Sequence, residues 1–123
     1  MATESPIVRD GSQCTAVVDL SSYKYYLLQI VGSKQLGLMT GGTGQVFYGV
    51  LQNTPMAGEA CDVAIMGITK VVAGAPITYG QQLMPNGSGQ SIPWLSGNLV
   101  IGVALESAST DELFSALVIA ALN

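Results

Sequence analysis

The stretch "GVLQNTPMAGEACDVAI", residues 49–65, decides how the chain is read. Its Pro55 and Gly58 oppose a helix and favour a turn. Beyond Glu59, Cys61, Val63 and Ile65 alternate with Asp62 and Ala64. A period of two is the mark of a strand. The segment therefore reads as strand, turn, strand, with Glu59 where the second strand opens.

A fainter copy lies 53 positions on, as "GVALESASTDELFSALV", residues 102–118. Gly49 aligns with Gly102, Val50 with Val103, Glu59 with Glu112 and Ile65 with Val118. The repeat bears on the most ambiguous part of the chain, "STDELFSALVIAALN" at 109–123. Ser109 and Glu112 match a helix capping box, and Ala and Leu favour helix. By analogy with the first copy, residues 112–121 are expected to be strand. Phe114, Ala116 and Val118 then point one way, and Leu113, Leu117 and Ile119 the other. One row can fill a core, and the other needs cover from another layer or another subunit.

Turn signals recur along the rest of the chain at "GSKQ" (32–35), "AGAP" (73–76), "YG" (79–80), "PNGSG" (85–89) and "SGN" (96–98). Short β-branched runs separate them, including "CTAVVDL" (14–20) and "SSYKYYLLQIV" (21–31). A turn every 8–12 residues points to an all-β sandwich or barrel. Residues 1–13 lack periodicity and are expected to be an extended arm, with residues 14–123 as a single β domain. The Gly-rich block at 41–44 lacks the Lys and Ser/Thr of a phosphate loop, and "QVFY" after it favours a strand.

Composition excludes more than it includes. Of the 123 residues, 49% are hydrophobic and only 10% are charged. Globular domains average about 25% charged. So few charges cannot dress a free surface, which points to a partner or an oligomer. Histidine is absent, which removes Ser/His/Asp and Cys/His catalysis. The four cations, Arg9, Lys24, Lys34 and Lys70, form no patch, and the net charge is −4. No nucleic-acid partner is expected. No run approaches the ~20 apolar residues of a membrane helix, so no membrane partner is expected either. The opening "MATESPIVRDGSQ" is polar and does not read as a signal peptide. Cys14 and Cys61 read as buried thiols. Glu59 and Glu112 read as solvated charges that open strands beside turns, not with Glu106 as a catalytic carboxylate pair, and the loop around Asp111 lacks the alternating Asp/Asn spacing of a calcium site. No cofactor, metal or catalytic residue is assigned.

"GVLQNTPMAGEACDVAIMGITKVVAG", followed by "YGQQL", "NGSGQ" and "IGVALESAS", resembles the capsid decoration proteins of tailed bacteriophages, also called cement or head-stabilisation proteins. The matching pieces are Gly49–Leu51, Pro55 with Gly58 and Glu59, Val63–Gly67, Val71–Gly74, Gly80–Leu83 and Ile101–Glu106, and the resemblance spans 44–123. It departs at Thr110-Asp111-Glu112, where the family often has Gly before the acid. The resemblance implies a small β-tulip-like barrel or sandwich. It implies a non-enzymatic trimer on the outer surface of the head, made in the host cytoplasm, that stabilises contacts between major capsid protein subunits. The interface candidates are Ile7, Val8 and Arg9 in the arm, the aromatics Tyr23, Tyr25 and Trp94, and Leu113 and Leu117 on the last strand. The alternative is a carbohydrate- or host-surface-binding module displayed on the virion, using the Tyr and Trp faces.

Overall fold

The computed structural model describes residues 7–9, 14–41, 45–95 and 98–119. The described residues form strands and turns with no helix, the all-β fold that the turn spacing implies. Among the described residues ten strands run in chain order. These are β1 (Ile7–Arg9), β2 (Thr15–Ala16), β3 (Leu27–Gly32), β4 (Gln35–Leu38), β5 (Phe47–Leu51), β6 (Val63–Val72), β7 (Gln82–Pro85), β8 (Ser91–Pro93), β9 (Gly102–Ala104) and β10 (Leu113–Ile119). They join in the order β2-β4-β3-β5-β6-β10-β9-β7-β8, and β1 adds to β6.

Residues 109–119 are the clearest test of reasoning from the repeat, and 120–123 lie outside the described residues. Leu113–Ile119 is a strand, and its two rows part as the alternation demands. Phe114, Ala116 and Val118 are fully buried, whereas Leu113, Leu117 and Ile119 are exposed. The capping-box geometry is half present without a helix: Glu112 Oε1 accepts from Ser109 N at 2.6 Å. The carboxylate closes a tight turn instead. Glu59 does the same in the first copy, accepting from Met56 N at 2.7 Å.

The repeat extends through the backbone well beyond 49–65. Val50 pairs with Ala64 and Leu51 with Val63. In the second copy Val103 pairs with Leu117 and Ala104 with Ala116, the same register. Upstream, Leu28 pairs with Leu38 and Gly49, as Leu83 pairs with Pro93 and Gly102. The parallel contact Ala16–Leu36 returns as Ala73–Ser91. Turn bonds repeat too. Tyr25 N donates to Leu51 O at 2.7 Å, and Gly80 N to Ala104 O at 2.8 Å; Gly58 N donates to Ala16 O at 2.8 Å, and Asp111 N to Ala73 O at 2.7 Å. Thus β2 to the start of β6 is one copy, and the end of β6 to β10 is the other.

Strand β6 serves both copies. Ala64 pairs with Val50 and with Arg9, and Met66 pairs with Val8 and with Ile119. A strand residue has one neighbour on each side. So β5 and β10 lie in succession along one edge of β6, and β1 lies along the other. Of the expected arm, only residues 7–9 are described by their backbone, and they pair with β6 of the same chain. The remainder of 1–13 lies outside the described residues, as do 42–44 of the Gly-rich block and 96–97 of the "SGN" turn.

Two expected strands are shorter than their composition suggests. In 14–20 only Thr15–Ala16 is strand, and in 21–31 the strand begins at Leu27. Between them the chain makes two turns, with Tyr25 at a φ of 71°. Those turns return the chain so that Leu27 can pair with Val50. Local strand propensity yields to this tertiary demand.

The core has two parts. One holds Cys14, Ala16, Leu20, Leu28, Leu36, Leu51, Cys61 and Val63, all from the first copy. The other joins the copies: Leu27, Met39, Phe47 and Val50 pack with Val71, Ile77, Leu83, Phe114 and Val118. The first copy is therefore apolar on both faces, and the second copy covers one of them. A buried polar pair sits near the junction. Gln52 Nε2 donates to Thr69 Oγ1 at 2.9 Å and to Val50 O at 3.1 Å, which meets the demand of a buried amide for partners.

Candidate interaction surface

The carboxylates hold turns together. Besides Glu59 and Glu112, Glu106 Oε1 accepts from Ser115 N at 2.8 Å, and Asp19 Oδ1 from Ser21 N at 2.9 Å. Each of these last two bonds favours the ionised form. The Ser115 N–H is the main reason the Glu106 carboxyl is held below its ordinary value. The Ser21 N–H acts likewise on Asp19. Among the described residues no three of His, Cys, Asp or Glu gather where a metal could bind. Cys14 and Cys61 are both buried thiols. No helix among the described residues is long and apolar enough to cross a membrane.

The aromatic candidates are distributed over different cores. Tyr23 packs on the first-copy cluster and meets Tyr26 edge to face, with centroids 5.0 Å apart and planes at 84°. Tyr25 packs on the second cluster, with Lys24 Nζ at 5.1 Å and Lys70 Nζ at 5.6 Å from its ring centroid. Half the cations of the chain thus lie against one ring. Alternation along a strand places Tyr23 and Tyr25 on one face; the turns at 21–26 separate them. Trp94 is half-buried, and its Nε1 donates to Asn98 O at 2.7 Å.

The apolar surface gathers on the β6–β10–β9–β7 sheet. Leu117 lies opposite Ile68 on one side and Val103 on the other, and Val103 lies opposite Gln82. Partners across a ladder share a face. Next to this row, Ile119 lies opposite Met66, and both are nearly half exposed. Ile68, Val103, Leu117, Met66 and Ile119 therefore make one uncharged patch. Leu117 is a residue the alternation singles out, whereas Leu113, also exposed, lies further along β10. Sequence reasoning misses Val103, Ile68 and Met66, because only the pairing register brings them beside Leu117. It also misses Ile30 and Val31 at the β3–β4 hairpin, exposed by 48% and 46%. Of Ile7, Val8 and Arg9, the backbone lies along β6.

This is a protein built of turns, cores and an apolar face, and its sequence matches the phage cement protein family model over residues 28–119. The chain belongs to the phage cement protein family. It is thus a structural protein associated with the phage head. A similar fold is seen in a solved structure: the crystal structure of the N base of head fiber gp8.5 in bacteriophage phi29 matches with a TM-score of 0.70. The match covers 96% of this chain and 99% of that one at 20% identity, so it speaks to fold. No curated protein matches the sequence.

The residue before the turn acid is Gly58 in the first copy of this cement protein and Asp111 in the second. Their φ angles are 85° and 70°. Asp111 takes the left-handed conformation that glycine adopts freely and that aspartate tolerates better than most residues. The second loop therefore keeps the backbone conformation of the first, with Asp111 in the place of Gly58.

Proposed function

We propose that this cement protein binds the outer surface of the phage head as a homotrimer and stabilises contacts between major capsid protein subunits, without enzymatic activity. The single observation that carries the reading is the uncharged patch around Leu117 on a protein of the cement family. An apolar face of this kind suits burial against protein. The lack of histidine and the scarcity of cations, four in the sequence against eight acids, support a mechanical role over catalysis or nucleic-acid binding. In this reading residues 14–123 form the domain and residues 1–13 an arm. The pairing of Ile7–Arg9 with β6 supports a strand-forming role for that arm, which can also be played on a neighbour's sheet. Synthesis in the host cytoplasm precedes attachment.

The test combines mass in solution with co-sedimentation on purified heads. A trimer that pellets with heads, and raises the temperature at which they rupture, is the expected result. Protein that stays in the supernatant at every concentration would overturn attachment. Removal of residues 1–12 is expected to weaken pelleting while the far-ultraviolet circular dichroism of the domain is retained.

A further inference from the structure

The two cysteines face each other across an antiparallel contact. Cys61 N donates to Cys14 O at 2.8 Å, and Ala16 N to Glu59 O at 2.9 Å, on either side of the Thr15–Ala60 bridge. One step along from that bridge, Cys14 therefore lies directly opposite Cys61. Directly opposed residues project to the same face, and both thiols are buried in the first-copy cluster. Opposed residues at a hydrogen-bonded position have Cα atoms about 5.5 Å apart, inside the range of roughly 4.4–6.8 Å that a disulfide spans. Their Cβ atoms need to close by only about 1 Å to reach bonding geometry.

The repeat supports this opposition independently. Ala16 and Glu59 correspond to Ala73 and Glu112, whose N–H to O distance is also 2.9 Å. Cys14 and Cys61 then take the places of Val71 and Phe114, which are partners in the β6–β10 ladder. That ladder runs without interruption over Leu113–Ile119. On the first-copy side, the pairing among the described residues consists of the Thr15–Ala60 bridge and the short β1–β6 contact, whose register shifts between Val8 and Arg9. The cysteines thus sit in the more broken of two equivalent ladders, where the base of the expected arm passes the entry to β6.

We propose that Cys14 and Cys61 form a cross-strand disulfide when the protein meets a low-molecular-weight disulfide, and that this bond locks the base of the arm to the entry of β6. One cysteine thiolate attacks a sulfur of the small disulfide and expels one small thiol. The other cysteine attacks the protein-side sulfur of the mixed disulfide, closes the Sγ–Sγ bond and expels the second. Two cysteine thiols are oxidised, one small disulfide is reduced, and both thiol protons leave on the two small thiols. The Tyr48 hydroxyl, which accepts from Cys14 Sγ at 3.5 Å, can turn to donate to that sulfur when it ionises. Opening of the two-residue β2, at the end of the sheet order, gives the reagent access to the buried pair. Cytosolic reductants keep such a pair as thiols, and an oxidising medium closes it. The inference is independent of attachment to heads and of the oligomeric state.

The experiment treats the full folded chain with glutathione disulfide below its unfolding temperature and then blocks the remaining thiols. A tryptic map without reductant should join peptide 10–24, which holds Cys14, to peptide 35–70, which holds Cys61. Non-reducing electrophoresis should show a single chain. The oxidised protein should unfold about 10 °C above the reduced one, because the bond closes residues 15–60 into a loop. Dithiothreitol should erase that rise. Cys14→Ala and Cys61→Ala should show no rise with the reagent. If either variant fails to fold, the wild-type map and midpoint decide alone. Glutathione left attached to both cysteines, a bond between chains, or thiols that stay unreacted until the chain unfolds would overturn the proposal. Joined peptides with an unchanged unfolding midpoint would overturn the lock.

Discussion

Gly102 passes so close beneath the carbonyl of Leu117 that an added Cβ would overlap that oxygen and lie 3.0 Å from Val118 Cα. Gly49 stands the same way to Ala64 in the first copy, with the oxygen 2.6 Å from an added Cβ. At Gly102 the obstacles are all backbone, so no neighbouring side chain can turn aside to make room. Gly102→Ala should therefore destabilise by about 1–3 kcal/mol, the range of overpacked sites. Urea unfolding checks it through a lower midpoint with an unchanged slope, and an unchanged midpoint would contradict the close approach.

Asp111 holds a left-handed backbone that costs an L-residue about 1–2 kcal/mol, partly relieved for aspartate. Asp111→Gly removes that cost and adds the chain entropy of glycine. The net expectation lies between no change and a gain of about 1 kcal/mol. Asp111→Val, β-branched and without a polar side chain, should lose about 1–2 kcal/mol. The two variants compared by thermal unfolding should move in opposite directions or differ clearly in size.

Ser91 is fully buried, and its hydroxyl has no hydrogen-bond partner among the described residues. Its counterpart in the first copy is Leu36, equally buried and apolar. A buried donor left unsatisfied costs about 1–3 kcal/mol. Ser91→Ala should accordingly raise stability by about 1 kcal/mol. A fall in melting temperature would mean that the hydroxyl is bonded in solution.

Glu106 introduces a pH dependence that its counterpart lacks. Asn53 Oδ1 accepts from Asp62 N at 3.0 Å, the bond that Glu106 makes to Ser115 N. The Glu106 carboxyl lies lower in the fold than in the unfolded chain. Its contribution is present above the unfolded value of about 4.3 and disappears as pH falls through the depressed folded value. Glu106→Gln keeps an acceptor and removes the titration. The drop in melting temperature between pH 7 and pH 3 should be smaller in the variant than in the wild type, and equal drops would rule out this linkage.

Much of the fold is legible where side chains repeat along with the backbone. Gly49 and Gly102, Glu59 and Glu112, and the rows of β10 can all be read from spacing, and Leu117 follows from them. The upstream half of the repeat is hidden for two physical reasons. Its positions have exchanged residue types, as in Leu36 for Ser91 and Tyr25 for Gly80, because backbone register tolerates what a side-chain pattern does not. The connections also differ in length, so the offset changes from 57 at Ala16–Ala73 to 55 at Leu28–Leu83 and 53 at Gly49–Gly102. The turns at 21–26 are concealed by tyrosines with strong strand propensity. The patch beside Leu117 depends on which strands become neighbours, and no local pattern encodes that.

Strand β6 finishes the first copy and begins the second within ten residues. A cut between the copies has nowhere to fall: any break inside Val63–Val72 deprives one half of its last strand or the other of its first. The chain is duplicated in form and indivisible in substance, and a pull on either half is transmitted through β6 to the other. In the role proposed for it, holding capsid subunits together, the molecule would act as a single link with no joint at its middle.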